Sequence, residues 1–268
     1  MNRRAPLDPA PAPRAMQAPV RIISRIDIKG SNVIKGIHLE GLKVVGKPGE
    51  MARRYYEQGA DEIIYMDVVA SLYGRNGILS VVEEAAREIF VPMTVGGGIR
   101  SVDDIVAALR SGADKVAINT AALKRPEFLS EAARAFGRQC IVLSVEAKRR
   151  EAGTWEALTD NGREQTGVNV IDWVTQAEEH GAGEILVTSV DMEGTEKGFD
   201  IELLKSIRDA VSVPVIACGG AGEGAHILAL LAATNCDAVC CASLFHYDRL
   251  PLPALKSELA AGGWDVRL

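Results

Sequence analysis

Two stretches of the chain repeat one another: Val91 to Ser101 reads VPMTVGGGIRS, and 122 positions further on Val213 to Glu223 reads VPVIACGGAGE. Each copy holds a Val-Pro start, a short β-branched apolar run, a Gly pair, a helix-like stretch and a second apolar run. That second run begins with Ala113-Asp114-Lys115-Val116 in one copy and Cys236-Asp237-Ala238-Val239 in the other, one residue later. Solenoid units span about 20–50 residues, so a repeat this long is a duplicated half-domain. The fold must carry internal two-fold symmetry, with several elements in each half.

Eight apolar runs supply those elements, near residues 21–27, 62–67, 92–96, 115–118, 140–146, 184–190, 213–218 and 237–242. Between them lie stretches such as Ile78 to Ile89 and Val102 to Leu109, whose apolar positions recur every three or four residues, the period of a helix. Strict strand–helix alternation requires a parallel sheet with helical crossovers. Eight units with a two-fold repeat predict an α/β fold, a single closed (β/α)8 TIM barrel of two half-barrels, with an open doubly wound sheet as the alternative. The barrel is expected over 21–268, a length such folds reach as one domain. The first 20 residues, MNRRAPLDPAPAPRAMQAPV, have neither a periodic apolar face nor the continuous apolar core of a secretory signal, and are expected to be a disordered extension. Asp8 and the prolines argue against a transit peptide.

Composition narrows the function. A net charge of −6 with 25% charged residues disfavours an unspecific nucleic-acid surface. No apolar stretch reaches the roughly 18–20 residues of a membrane span. Five cysteines without a CxxC pair read as reduced core residues of a cytoplasmic protein. His38, His180, His226 and His246 share no metal-ligand spacing, so neither metal nor cofactor is expected. Small-molecule chemistry is favoured.

In a barrel, the catalytic face is the one at the strands' C-terminal ends. There the sequence places Asp27, Asp67, Gly97, Asn119, Glu146, Asp191, Gly219 and Ser243. Asp27 and Glu146 end the first and fifth runs, equivalent positions in the two halves, and each is followed two residues later by a lysine, Lys29 or Lys148. One such carboxylate alone is commonly a helix cap. An opposed pair can act as general acid and base, because environment separates the two pKa values. Gly97-Gly98 and Gly219-Gly220 each lead from a strand into a helix, where backbone N–H groups can approach an anion. A single Gly pair is usually a tight turn, but here Asn119-Thr120 and Ala242-Ser243 end the next runs beside each pair. The duplicated arrangement predicts a ligand with two phosphates spanning the mouth, with Asp191 to Thr195 reaching one end. Residues 149–167, with Asp160-Asn161-Gly162 at a turn, are expected to form a hairpin over the mouth, and Trp173 to be packed.

From about Arg21 to Tyr247 the chain resembles the cyclase subunit of imidazole glycerol phosphate synthase, a histidine-biosynthesis barrel. The resemblance is carried by RIDIKG, IKGI, DEIIYMDVVAS, TVGGGIR, GADKVAINTAA, AKR, DWV, GAGEILVTS, KGFD, PVIACGGAG and ASLFH. It implies that ammonia from a separate glutaminase subunit, the partner in a heterodimer, enters the barrel. There it reacts with a ribulosyl aminoimidazole bis-phosphate, giving imidazole glycerol phosphate and an aminoimidazole carboxamide ribotide. It implies catalysis by Asp27, with Glu146 as its opposite number, and a mobile first loop bearing Lys35. One phosphate site would use Gly97, Asn119 and Thr120, and the other Gly194, Gly219, Gly220 and Ser243, with Asp67, Thr188 and Asp191 also among the substrate-binding residues. At the opposite end, Arg21, Glu62, Lys115 and Glu184 start four runs and could close a ring of alternating charge. Alone this reads as stabilising salt bridges; the resemblance makes it an ammonia gate, with Asp114 facing the glutaminase. No glutaminase nucleophile motif is present in the chain itself.

Two departures stand out. Glu146 replaces an Asp, and the added methylene moves a carboxylate by about 1.5 Å against a tolerance of roughly 0.5 Å for catalytic groups. Arg25 replaces a small residue and, at period two, points to the same side as Asp27. A buried Arg needs an anion, and Glu146 and Asp67 are the expected partners. Two alternatives stay open, the first favoured by these changes and the second requiring loss of phosphate binding. One is a relative delivering ammonia to another acceptor, such as a nucleotide-linked sugar in surface-polysaccharide synthesis; the other is a noncatalytic barrel that docks and activates a glutaminase.

Overall fold

The structure is a computed structural model that describes residues 18–70 and 78–268; part of the expected extension, residues 1–17, lies outside them. The strands, in chain order, are β1 (Arg21–Lys29), β2 (Asn32–Ile37), β3 (Glu40–Gly46), β4 (Glu62–Asp67), β5 (Met93–Gly96), β6 (Lys115–Ile118), β7 (Ile141–Glu151), β8 (Thr154–Thr159), β9 (Glu164–Asn169), β10 (Glu184–Ser189), β11 (Val215–Cys218) and β12 (Ala238–Cys241). Parallel pairing runs β1–β4–β5–β6–β7–β10–β11–β12 and closes from β12 back to β1, so the fold is a (β/α)8 barrel. Helices such as Val102–Arg110 and Ile201–Ala210 link successive strands. No helix among the described residues is long and apolar enough to cross a membrane.

The residue pattern explains the strand limits. Pro92 and Pro214 fall within the expected runs, but proline has no N–H to donate to a ladder, and β5 and β11 begin one residue later. Each proline still contributes its carbonyl, accepting from Ile63 N and Ile185 N at 3.0 Å. Alternation along β1 sends Ile22 and Ile26 outward into the core beneath the helices and Ile23 inward, where it packs with Ile64, Met66, Val142 and Leu186 in the barrel interior. The packed chain already includes Val20, which is buried and whose N–H donates to the Asp265 carbonyl at 2.8 Å.

The base of the barrel shows a finer repeat than the half-barrel. Asp61, Asp114 and Asp237, each just before or near the start of a strand, accept from the backbone N–H of Ile22, Met93 and Val215 at 2.7, 2.8 and 2.9 Å. The fourth equivalent position is Gly183, whose N–H donates to Ile141 O at 2.9 Å. A side chain cannot be added there, because a Cβ on Gly183 would lie 2.0 Å from the Arg138 carbonyl oxygen. Two antiparallel extensions decorate the mouth: the hairpin β2–β3 after β1, and β8–β9, which continue from β7.

Candidate active site at the barrel mouth

Both glycine pairs sit where the chain leaves a barrel strand. Gly97 and Gly98 have φ of 91° and 77°, and Gly219 and Gly220 have 96° and 108°, a region L side chains rarely adopt. The conformation lets the backbone pass close to its neighbours: a Cβ on Gly97 would lie 2.1 Å from Asp67 O, and one on Gly220 1.8 Å from Gly198 O. The next strand in each half ends at a matching backbone. Asn119 has φ −122° and ψ −89°, and Ala242 has φ −123° and ψ −74°, each followed by a short helix with no side-chain cap on its first N–H groups. Two corners with uncapped backbone N–H groups, related by the internal two-fold, flank the mouth.

The carboxylates belong to different corners. Glu146, inward-facing on β7, lines a cavity of about 300 Å³ with Asp67, Gly97, Gly98, Asn119 and Thr120. Asp27 lines a smaller cavity of about 30 Å³ with Lys35, Gly194, Gly219, Gly220 and Ser243. Glu146 accepts from Asn119 Nδ2 at 3.1 Å and from Gly162 N at 2.7 Å. Burial outweighs both bonds and pushes its carboxyl up to about 7. Burial likewise raises the pKa of Asp67, which accepts from Val69 N at 3.0 Å.

The hairpin β2–β3 reaches the smaller cavity through Lys35. Lys35, placed by the resemblance on a mobile loop, lies on strand β2, is buried, and forms an ion pair with Glu193. Burial lowers the lysine's pKa. The other Glu193 oxygen accepts from Leu39 N at 2.8 Å, and the Glu193 carbonyl accepts from His38 N at 2.9 Å. Glu193 was not singled out from sequence, although it lies within the Asp191–Thr195 loop. Arg100 and Lys124 were also missed; they bring positive charge to the larger cavity.

The structure corrects the expected partner of Arg25. Its Nε donates to Asp27 Oδ1 at 2.7 Å, not to Glu146 or Asp67, and its Nη1 to Thr188 Oγ1 at 2.9 Å. Residues i and i+2 of a strand share a side, so a long guanidinium folds along β1 to its own neighbour. Thr188 is therefore engaged by Arg25. Asp191 pairs with Lys148 and accepts from Arg149 N at 2.8 Å, which ties the far part of β7 to the loop after β10. Thr120 Oγ1 accepts from Asp160 N at 3.2 Å, so the second hairpin contributes to the larger cavity through Asp160 and Asn161.

Three further features lie outside the carboxylate pair. Cys218 Sγ lies 3.7 Å from Arg25 Nη1, and a hydrogen bond from Cys240 together with the Arg25 charge lowers its thiol's pKa. Trp173 is buried. No group of three or more His, Cys, Asp or Glu among the described residues is placed to hold a metal.

At the far end of the barrel the four charged residues close on one another. Arg21 bonds Glu62 at 2.6 Å and Glu184 at 2.5 Å, and Lys115 bonds the same two at 3.0 and 2.8 Å. Asp114 is exposed beside this ring.

A family profile described as "Histidine biosynthesis protein" matches residues 21–251. The chain is 63% identical over 204 residues to "Imidazole glycerol phosphate synthase subunit HisF" of Legionella pneumophila, covering 76% of this chain and 96% of that one. It is 46% identical over 257 residues to the protein of the same name from Thermobifida fusca (strain YX), covering 94% and 100%.

Proposed function

The chain belongs to the histidine biosynthesis protein family, and from that premise we propose that it is the cyclase subunit of imidazole glycerol phosphate synthase, an enzyme of histidine biosynthesis. It takes ammonia and a ribulosyl aminoimidazole bis-phosphate to imidazole glycerol phosphate and aminoimidazole carboxamide ribotide. The observation that carries this reading is the pairing of each anion-accepting glycine corner with its own carboxylate, Glu146 on one side and Asp27 on the other. A substrate with a phosphate at each end would span the two corners and hold its reacting centre between the carboxylates. Addition of ammonia to a carbonyl with loss of water moves protons from nitrogen to oxygen, and ring closure with cleavage of the C–N bond to the ribotide takes a proton from the attacking nitrogen and gives one to the leaving nitrogen, work suited to such a pair.

Gly97, Asn119 and Thr120 serve one phosphate, Gly194, Gly219, Gly220 and Ser243 the other, and Lys35 closes over the second. Ammonia comes from a glutaminase subunit docked at the base, beside Asp114. It enters through the Arg21–Glu62–Lys115–Glu184 ring, which is closed in the isolated chain. The test is turnover of the bis-phosphate by the purified chain in excess ammonium salt, followed by loss of substrate absorbance. Activity that disappears in Asp27→Asn is expected. Binding without turnover would overturn this reading and direct the search to another ammonia acceptor.

A further inference from the structure

We propose that Arg25 sets the direction of proton transfer between the two carboxylates, holding Asp27 as the charged base and leaving the transferable proton on Glu146. This rests on the reading that these two groups carry the proton transfers. Arg25 is then a positioning residue, acting through Asp27.

The internal symmetry shows the asymmetry that matters. Asp27 and Glu146 occupy equivalent positions, so the position equivalent to Arg25 is Ser144, two residues before Glu146. One half-barrel places a guanidinium beneath its carboxylate; the other places a hydroxyl. Asp27 has a cation in direct contact at 2.7 Å, whereas Glu146 receives only the neutral donors Asn119 Nδ2 and Gly162 N among the described residues.

The guanidinium is also fixed in place. Arg25 is 4% exposed and reaches Thr188 on β10, three strands around the barrel from β1 by way of β12 and β11. Diametric opposition would be four, so the side chain crosses the lumen and is anchored at both sides. Asp27 is faced in addition by Lys35 from the first hairpin, His246 from the helix after β12 and Cys218 from β11. Lys35 already has Glu193 as its partner, which leaves Arg25 as the cation in contact with Asp27. Glu146 is faced by Arg25 and Asp27 from β1 and by Asp160 from the second hairpin, and its raised pKa agrees with a proton held there.

The test compares wild type with Arg25→Met, which keeps the length and removes the charge, and Arg25→Lys, which keeps the charge. Infrared titration of the resting protein, with bands assigned by Glu146→Gln and Asp27→Asn, reads each carboxyl directly. One protonated-carboxyl band near neutral pH, lost in Glu146→Gln and retained in Asp27→Asn, is expected. In Arg25→Met a second band assignable to Asp27 should appear. The pH profile of kcat/KM should move to higher pH on both limbs by at least about one unit, because each carboxyl loses the charge that favoured its ionised form. Arg25→Lys should restore the wild-type position. A profile that falls in height without moving, or a resting proton found on Asp27, would overturn the proposal. The infrared arm needs no substrate, so it decides this proposal even if the bis-phosphate is not turned over.

Discussion

Glu146 illustrates how a group proposed for catalysis also bears on stability. Burial raises its carboxyl from an ordinary 4.5 to about 7, so the folded chain binds this proton more tightly than the unfolded chain. The stability linked to it is fully present below about pH 4.5 and is lost as pH rises through about 7. Glu146→Gln should flatten that dependence: between about pH 5 and about pH 8 its urea midpoint should fall less than that of wild type. Equal falls would show a carboxyl already ionised. Asp67, also raised by burial, contributes in the same direction to both proteins. At this scale the sequence located both carboxylates but not the partner of Arg25. Alternation fixes the side of a strand a residue faces; it does not fix the rotamer that decides which of the groups around the lumen a long side chain meets.

Among the elements, the two hairpins at the mouth differ in how legible they were. The turn Asp160-Asn161-Gly162 takes φ of 52°, 60° and 75°, values that Asp, Asn and Gly tolerate best, and its composition announced it. The first hairpin gave no such sign. Asn32–Ile37 is short and contains Gly36, and its pairing with β3 is broken by register shifts at Val33/Ile34 and Lys35/Ile37, so no run of clean alternation exists. Its closure depends on a tertiary contact, the buried Lys35–Glu193 pair. Glu193→Ala leaves a buried amine without that anion and removes the acceptor of Leu39 N. Limited trypsin digestion should then cut at the exposed Lys43 several-fold faster than in wild type, with the barrel itself left intact. Unchanged cleavage would mean that the hairpin is held by its other contacts.

For the molecule as a whole, the duplicated halves and eight strand–helix units were legible because the barrel imposes one period on every strand and another on every helix. The ties that fasten the outer helices to the base were not legible, because they join residues far apart in sequence. Lys256, on the helix Leu252–Ala261, bonds Asp61 at 2.8 Å, with both side chains buried. Lys256→Ala leaves Asp61 uncompensated and should cost about 3–5 kcal/mol in denaturant melts. Adding Asp61→Asn to that variant, which removes the charge but keeps an acceptor for the Ile22 N–H, should recover much of that loss. Nearby, the Val20–Asp265 hydrogen bond brings the two ends of the described barrel together at the base, beside the charged ring. Geography then matters for anyone handling the protein: a bead, dye or fusion attached through the C-terminal end would crowd the face proposed for the glutaminase and leave the mouth open to solution. Tethered molecules should therefore keep turnover on ammonium salt while losing turnover on glutamine, and a longer spacer should return it.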